Sequence, residues 1–247
     1  MFNSKVFLAE FIGTFALIFI GVGAGVAGAG LVGVALAYGL VLAVFWYAYG
    51  HISGAHINPA VTFGFALNGT IKWGQAFVSY MLPQFLGALC AAFLLKTYVG
   101  DISAFATVGA LTASKPVVAM FIEAILTFFL VNTFLHVTGT GKCDAFAGWA
   151  IGAAYTFAIL GGSPLTGASL NPARTFGLAL FSAPSLADTS TYVVYLFGPL
   201  IGATLAVVAN NFFMGITEAA PVSVPEVKAV EKPAKKSTAK RSASRSK

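Results

Sequence analysis

Charge is what this sequence has least of. Of 247 residues only 9% are Asp, Glu, Lys or Arg, while 58% are hydrophobic and the mean hydropathy is +0.86. A water-soluble domain of this length needs more polar surface than that, so the medium has to be lipid. Cysteine is nearly absent too. Cys90 lies within an apolar run and Cys143 in a short connection, which excludes a disulfide framework. The three histidines stand without a grouped Cys or carboxylate, so His51 and His56 do not read as a metal pair or a pH gate, and no metal or other cofactor is expected. Nothing has the pattern of a nucleophile with its base or of a phosphate loop, which leaves an intramembrane enzyme without a residue set to perform it.

What the chain has in abundance is apolar runs of membrane length. A hydrocarbon core of roughly 30 Å takes about 20 helical residues at about 1.5 Å each. Six runs qualify or nearly so, near Val6 to Val26, Leu31 to Tyr49, Ala76 to Leu95, Pro116 to Val137, Phe146 to Leu160 and Thr191 to Ile216, the fifth being the shortest. The first is too long for a cleavable signal peptide and reads as an uncleaved anchor. Small residues such as Gly21, Gly25, Gly28 and Gly30 read as close helix packing.

The few charges are unevenly divided. Residues 1–217 hold six Lys/Arg against five Asp/Glu, and residues 218–247 hold eight against three. The latter segment, with Pro221, Pro225 and Pro233 and few apolar side chains, reads as a disordered basic tail. It marks the cytoplasmic side, with attraction to anionic lipid headgroups as the alternative; nucleic acid is no partner for a tethered chain. Six spans put both termini on one face, where Lys5, Lys72, Lys142 and the tail fall together, so both termini are expected in the cytoplasm, in the cell membrane.

The chain is also an internal repeat. Asn-Pro-Ala occurs at Asn58-Pro59-Ala60 and Asn171-Pro172-Ala173, and Glu10 with Thr14 matches Glu123 with Thr127, all 113 residues apart. Three spans per half make the copies inverted, with halves of about 1–110 and 111–217. Asn is a favoured helix N-cap and Pro suits the first helical position, so each tripeptide should open a helix. Those helices run only about ten residues, or about 15 Å, before Asn68-Gly69 and before Pro184. Two such half-helices, entering from opposite faces, would meet N-terminus to N-terminus at the membrane centre. The expected fold is therefore an all-α membrane protein of six transmembrane helices plus two re-entrant half-helices, with residues 1–217 as the channel domain. Matched interrupted segments of this kind point to the place where solute crosses.

Ser53-Gly54-Ala55-His56-Ile57-Asn58-Pro59-Ala60-Val61-Thr62 and Gly167-Ala168-Ser169-Leu170-Asn171-Pro172-Ala173-Arg174 resemble the signature loops of the aquaporins, the major intrinsic proteins. Glu10-Phe11-Ile12-Gly13-Thr14-Phe15, Gln84 and Phe197-Gly198-Pro199 add to the resemblance, which covers residues 1 to about 217. It implies a homotetramer with one pore per subunit. It also implies an outer filter at Arg174, Tyr38, Ile159 and Ala168. Strict water channels of the family carry His where Ile159 stands and Phe where Tyr38 stands, so the filter is mixed. Thr175, Ala179 and Tyr195 resemble the water-channel branch, and Leu196 the glycerol branch.

These residues also carry a physical expectation. Non-helical backbone is tolerated at membrane depth where it lines a cavity, so the carbonyls of Gly54, Ala55 and His56, and of Gly167 and Ala168, should face passing solute. The side-chain amides of Asn58 and Asn171 should orient a water, breaking a proton wire, and the half-helix N-termini should repel cations. Glu10 and Glu123 are expected to bond the loop backbone; their use as proton carriers in a coupled secondary transporter is the alternative. The sequence thus describes a passive channel for water, with ammonia, hydrogen peroxide, urea or glycerol as further solutes and lipid as its surroundings.

Overall fold

Asn3 opens the first helix by accepting from the backbone N–H groups of Lys5 and Val6, and every later element follows from apolar runs punctuated by Gly, Asn and Pro. The computed structural model describes residues 2–102, 108–139, 145–182 and 186–215. Cys143, Lys142, Pro184 and the basic tail 218–247 lie outside the described residues. The elements are α1 (Ser4–Val26), α2 (Gly30–Ser53), α3 (Pro59–Leu67), α4 (Trp73–Val99), α5 (Pro116–Gly139), α6 (Ala147–Thr166), α7 (Pro172–Ala179) and α8 (Thr189–Met214). No strand occurs among the described residues.

Helices α1, α2, α4, α5 and α8 are long and apolar enough to cross a membrane, and α6, at 20 residues, has the length. The fifth span is longer than the sequence suggested: it does not stop at Leu160 but runs to Thr166, carrying Pro164 in its last turn. Likewise α2 continues past Tyr49 through His51 to Ser53. Both extensions end at a left-handed glycine, Gly54 at φ 81° and Gly167 at φ 82°, a conformation that glycine adopts without a Cβ penalty.

The packing has the symmetry of the repeat. Helix α1 lies against α2 and α4 as α5 lies against α6 and α8; α2 and α6 cross each other; α3 packs on α8 and α7 on α4. Small residues set these approaches. A Cβ on Gly87 would collide with the backbone of Phe11 in α1, and one on Gly202 with that of Ala124 in α5. The α2–α6 crossing brings Gly39 and Gly152 together, each leaving a Cβ only 2.5 Å from the other's carbonyl oxygen. Of the glycines expected to form a packing stripe, Gly21 does receive the ring of Tyr38, whereas Gly28 and Gly30 take φ 76° and 66° in the α1–α2 turn with open space around them. Those two serve the turn.

Outward faces are apolar, as lipid requires: Val44, Phe93, Phe121, Ile125, Trp149 and Val208 are all more than half exposed. The two carboxylates inside the spans, Glu10 and Glu123, are fully buried within the bundle. Helices α4 and α8 each pass through a π-helical turn, at Ala76–Met81 and Val193–Phe197, and these turns direct Tyr80 and Tyr195 inward. The segment before α5 lies across the end of α6, with Ala110 and Leu111 N–H donating to the carbonyls of Pro164 and Leu165.

Candidate functional site

Each Asn-Pro-Ala starts a half-helix. Asn58 Oδ1 accepts from Ala60 N–H at 2.8 Å and caps the nine residues of α3, while Asn171 Oδ1 accepts from Arg174 N–H at 3.2 Å and caps the eight of α7. Proline occupies the first turn of both. The two N-termini meet and are tied crosswise: Asn58 Nδ2 donates to Leu170 O and Asn171 Nδ2 to Ile57 O, both at 2.9 Å. One N–H of each amide is thereby spent on the opposite loop, leaving one each for anything between them.

The loops that deliver these caps are strained in the same way. Ala55, Ile57, Ala168 and Leu170 adopt φ of 44°, 40°, 42° and 54°, the left-handed region that costs a non-glycine residue about 1–2 kcal/mol. A buried carboxylate holds each loop in that shape. Glu10 accepts from Ser53 Oγ (2.6 Å), His56 N–H (3.0 Å), Ile57 N–H (2.6 Å) and Gln84 Nε2 (2.7 Å). Glu123 accepts from Thr166 Oγ1 (2.7 Å), Ser169 N–H (2.9 Å) and Leu170 N–H (2.8 Å). The expected bonding of both glutamates to the loop backbone is present. Their lone pairs are engaged by neutral donors, and no cation pairs with either among the described residues.

Turning the amides outward to the glutamates turns carbonyls the other way. Among the described residues, no protein donor reaches the carbonyls of Gly54, Ala55 and His56. In the second loop Arg174 takes that part: Nη1 donates to Ala168 O (2.5 Å) and Ser169 O (3.5 Å), and Nη2 to Gly167 O (3.4 Å). Arg174 is 4% exposed, and its guanidinium lies 4.3 Å from the ring centre of Tyr38. Of the four residues expected to form a filter, Arg174, Tyr38 and Ala168 come together through these contacts, and Ile159 is buried in the same core cluster as Tyr38 and Ala168. Two polar atoms there, Tyr38 Oη and Arg174 Nε, have no partner among the described residues.

Between the crossed loops lies a cavity of about 10 Å³, measured where a water's centre can sit, which is room for about one molecule. Apolar Leu17, Leu42, Val61, Leu130 and Phe134 line it together with Asn58, Asn171 and His56. His56 is held in place by ring contacts to Phe65 and Tyr80 at 4.5 and 4.8 Å and by Thr62 Oγ1 at 3.2 Å from Nδ1. Among the described residues, no group of three His, Cys, Asp or Glu side chains could hold a metal ion. Leu17, Leu42, Leu130, Phe134 and Tyr155 escaped sequence reasoning as lining residues; among them Tyr155 carries a hydroxyl, which donates to Ser169 O at 3.1 Å. The repeat offset pairs Tyr155 with Leu42, but nothing in the sequence marks either as facing inward.

Half-helices joined head to head inside an inverted six-span bundle are the architecture of a membrane channel. Residues 1–210 match the sequence profile described as Major intrinsic protein, and the chain belongs to that family of passive channels. It is 39% identical over 205 residues to glycerol uptake facilitator protein-like 6 of Lactiplantibacillus plantarum, covering 81% of this chain and 94% of the relative. It is 37% identical over 234 residues to aquaporin TIP2-1 of Arabidopsis thaliana, covering 89% and 91%. To aquaporin AqpM of Methanothermobacter thermautotrophicus it is 37% identical over 240 residues, covering 83% and 95%. The X-ray structure of the aquaglyceroporin from Plasmodium falciparum shares the fold, with a TM-score of 0.76 at 24% identity over 86% of this chain and 97% of that one. The protein is thus an integral membrane channel and not an enzyme.

Proposed function

We propose that the channel conducts water and small uncharged solutes of the size of ammonia and hydrogen peroxide, and excludes ions and protons. The observation that carries this reading is the one-water cavity between the crossed Asn58 and Asn171 amides. Each amide keeps one N–H for the oxygen of a molecule in that cavity. A water held by two donors, among apolar Leu17, Val61 and Phe134, points its own hydrogens away along the path and cannot pass a proton through the centre.

Ions meet two further barriers. Each half-helix N-terminus carries the equivalent of about +0.5 charge, and both face the junction. Arg174 adds a full charge at one end. A dehydrated ion faces an idealised cost of order 20 kcal/mol, whereas a water exchanges its neighbours for the carbonyls of Gly54, Ala55 and His56 and for the free Tyr38 Oη and Arg174 Nε. The names of the relatives, glycerol facilitator on one side and aquaporin on the other, support a neutral-solute class wider than water alone.

The conducting unit is residues 1–217, built as a homotetramer with a pore in each subunit. Both termini face the cytoplasm from the cell membrane, with the basic segment 218–247 following the channel domain. Proton-coupled transport finds no support, because Glu10 and Glu123 are occupied in holding the loops. The test is osmotic shrinkage of proteoliposomes with water and graded osmolytes, alongside a pH-sensitive dye. Water flux above that of empty vesicles without proton flux is expected; a proton current that scales with water flux refutes the mechanism.

A further inference from the structure

Around the cavity the repeat supplies three pairs of counterparts that both line it: Leu17 with Leu130 and Asn58 with Asn171 are identical, and Leu42 with Tyr155 is not. Helices α2 and α6 are counterparts that cross at Gly39 and Gly152, and three residues beyond each glycine, Leu42 and Tyr155 both line the cavity. One half presents a short aliphatic side chain and the other a phenol. Tyr155 is 1% exposed, and its ring stands edge-on to Tyr38 at 5.8 Å. Tyr38 in turn lies under the Arg174 guanidinium. The cavity wall includes Tyr155 but none of Tyr38, Ile159, Ala168 or Arg174, so Tyr155 is the lining residue that touches both the space around the paired amides and the Tyr38–Arg174 pair.

The hydroxyl fixes the ring there. It donates to Ser169 O, a carbonyl that Arg174 Nη1 also reaches, so Tyr155 is tied to the loop that carries the second Asn-Pro-Ala. A ring anchored at its tip cannot swing aside without giving up a buried hydrogen bond. It also occupies a carbonyl that a solute would otherwise use as an acceptor.

We propose that Tyr155 is a specificity-determining residue that forms a second constriction, in series with the filter at Arg174, and sets the upper size of solute for this channel. The inference rests on the neutral-solute reading above and narrows it. Against aliphatic Ile159 and small Ala168, the pinned Tyr155 is the bulkiest side chain of the three. Water, ammonia and hydrogen peroxide pass beside it; urea and glycerol are held back.

The test uses the full chain in proteoliposomes, with water, urea and glycerol permeabilities measured for wild type, Tyr155→Leu and Tyr155→Phe. Leu is the natural residue at the repeat counterpart, and Tyr155→Val serves in its place if Tyr155→Leu fails to assemble. Removing the ring should raise urea and glycerol permeability severalfold relative to water. Tyr155→Phe keeps the ring and should retain most of the exclusion. An unchanged ratio of urea and glycerol to water in a ring-deleted variant that still conducts water overturns the assignment, as does a Phe variant that admits urea as freely as the Leu variant. If neither wild type nor the ring-deleted variant conducts water above empty vesicles, the channel reading fails and takes this one with it.

Discussion

Replacing Glu10 by Gln asks whether the buried carboxylate is a scaffold for the loop, as its bonds imply. The side chain keeps its shape but exchanges one acceptor oxygen for an NH2 group. If the remaining oxygen serves Ser53 Oγ and His56 N–H, the new NH2 faces Ile57 N–H and Gln84 Nε2, two donors. Gln84 can escape the conflict by turning its amide over, because its Oε1 has no partner and Thr62 Oγ1 can switch from acceptor to donor. Ile57 N–H cannot. Its left-handed backbone is fixed by the cap at Asn58 and by the bond from Asn171 to Ile57 O.

One buried N–H left unpaired costs about 1–3 kcal/mol. The weaker bonds of a neutral acceptor and the relief of not burying a charge act in opposite directions, so the orphaned amide sets the scale. For a chain of this size each kcal/mol moves the melting temperature by about 2–4 °C, so Glu10→Gln should melt roughly 2–12 °C below wild type. Glu123→Gln should fall in the same range: it has no counterpart of Gln84 to rearrange, and one orphan, Leu170 N–H. The assay is thermal unfolding in detergent, followed by water permeability at a temperature below the transition. Water flux per folded channel should persist. A melting temperature equal to wild type would refute the scaffold argument, and loss of solute flux in folded, assembled Glu10→Gln would revive the carboxylate as a proton carrier.

Three other outcomes are expected. Arg174→Val should let protons or small cations leak while water still passes, since the charge at one end is gone and the Asn58–Asn171 pair remains; vesicles with a pH dye and imposed potential read this, and an unchanged barrier would assign exclusion wholly to the half-helix termini. Ile159→His should narrow the filter and add a polar group facing Arg174, lowering ammonia and hydrogen peroxide flux severalfold with a smaller change in water; equal passage in both proteins would place the limit elsewhere. Deleting 218–247 should leave water permeability within the error of the full chain, because every element of the junction lies before residue 215; loss of flux from correctly inserted protein would make the tail part of the channel.

The sequence by itself determined the solvent, the span count, the repeat and the head-to-head half-helices. Lipid demands long apolar runs, and Asn followed by Pro has few uses at membrane depth other than opening a helix. Glu10 and Glu123 were legible for the same reason, since a carboxylate in an apolar run must find donors and the nearby loop supplies them. Tertiary structure alone decided the rest. In these helices both the lipid-facing and the inward faces are apolar, so no polar stripe marks which side of α6 looks inward, and Tyr155 could not be told from a tyrosine facing lipid. The left-handed Ala55, Ile57, Ala168 and Leu170 carry no glycine signature, because the glutamates and not the residue type hold them there. The crossed bonds from Asn58 to Leu170 and from Asn171 to Ile57 join residues more than a hundred positions apart, and only the packing of α2 against α6 and of the two half-helices brings them within reach.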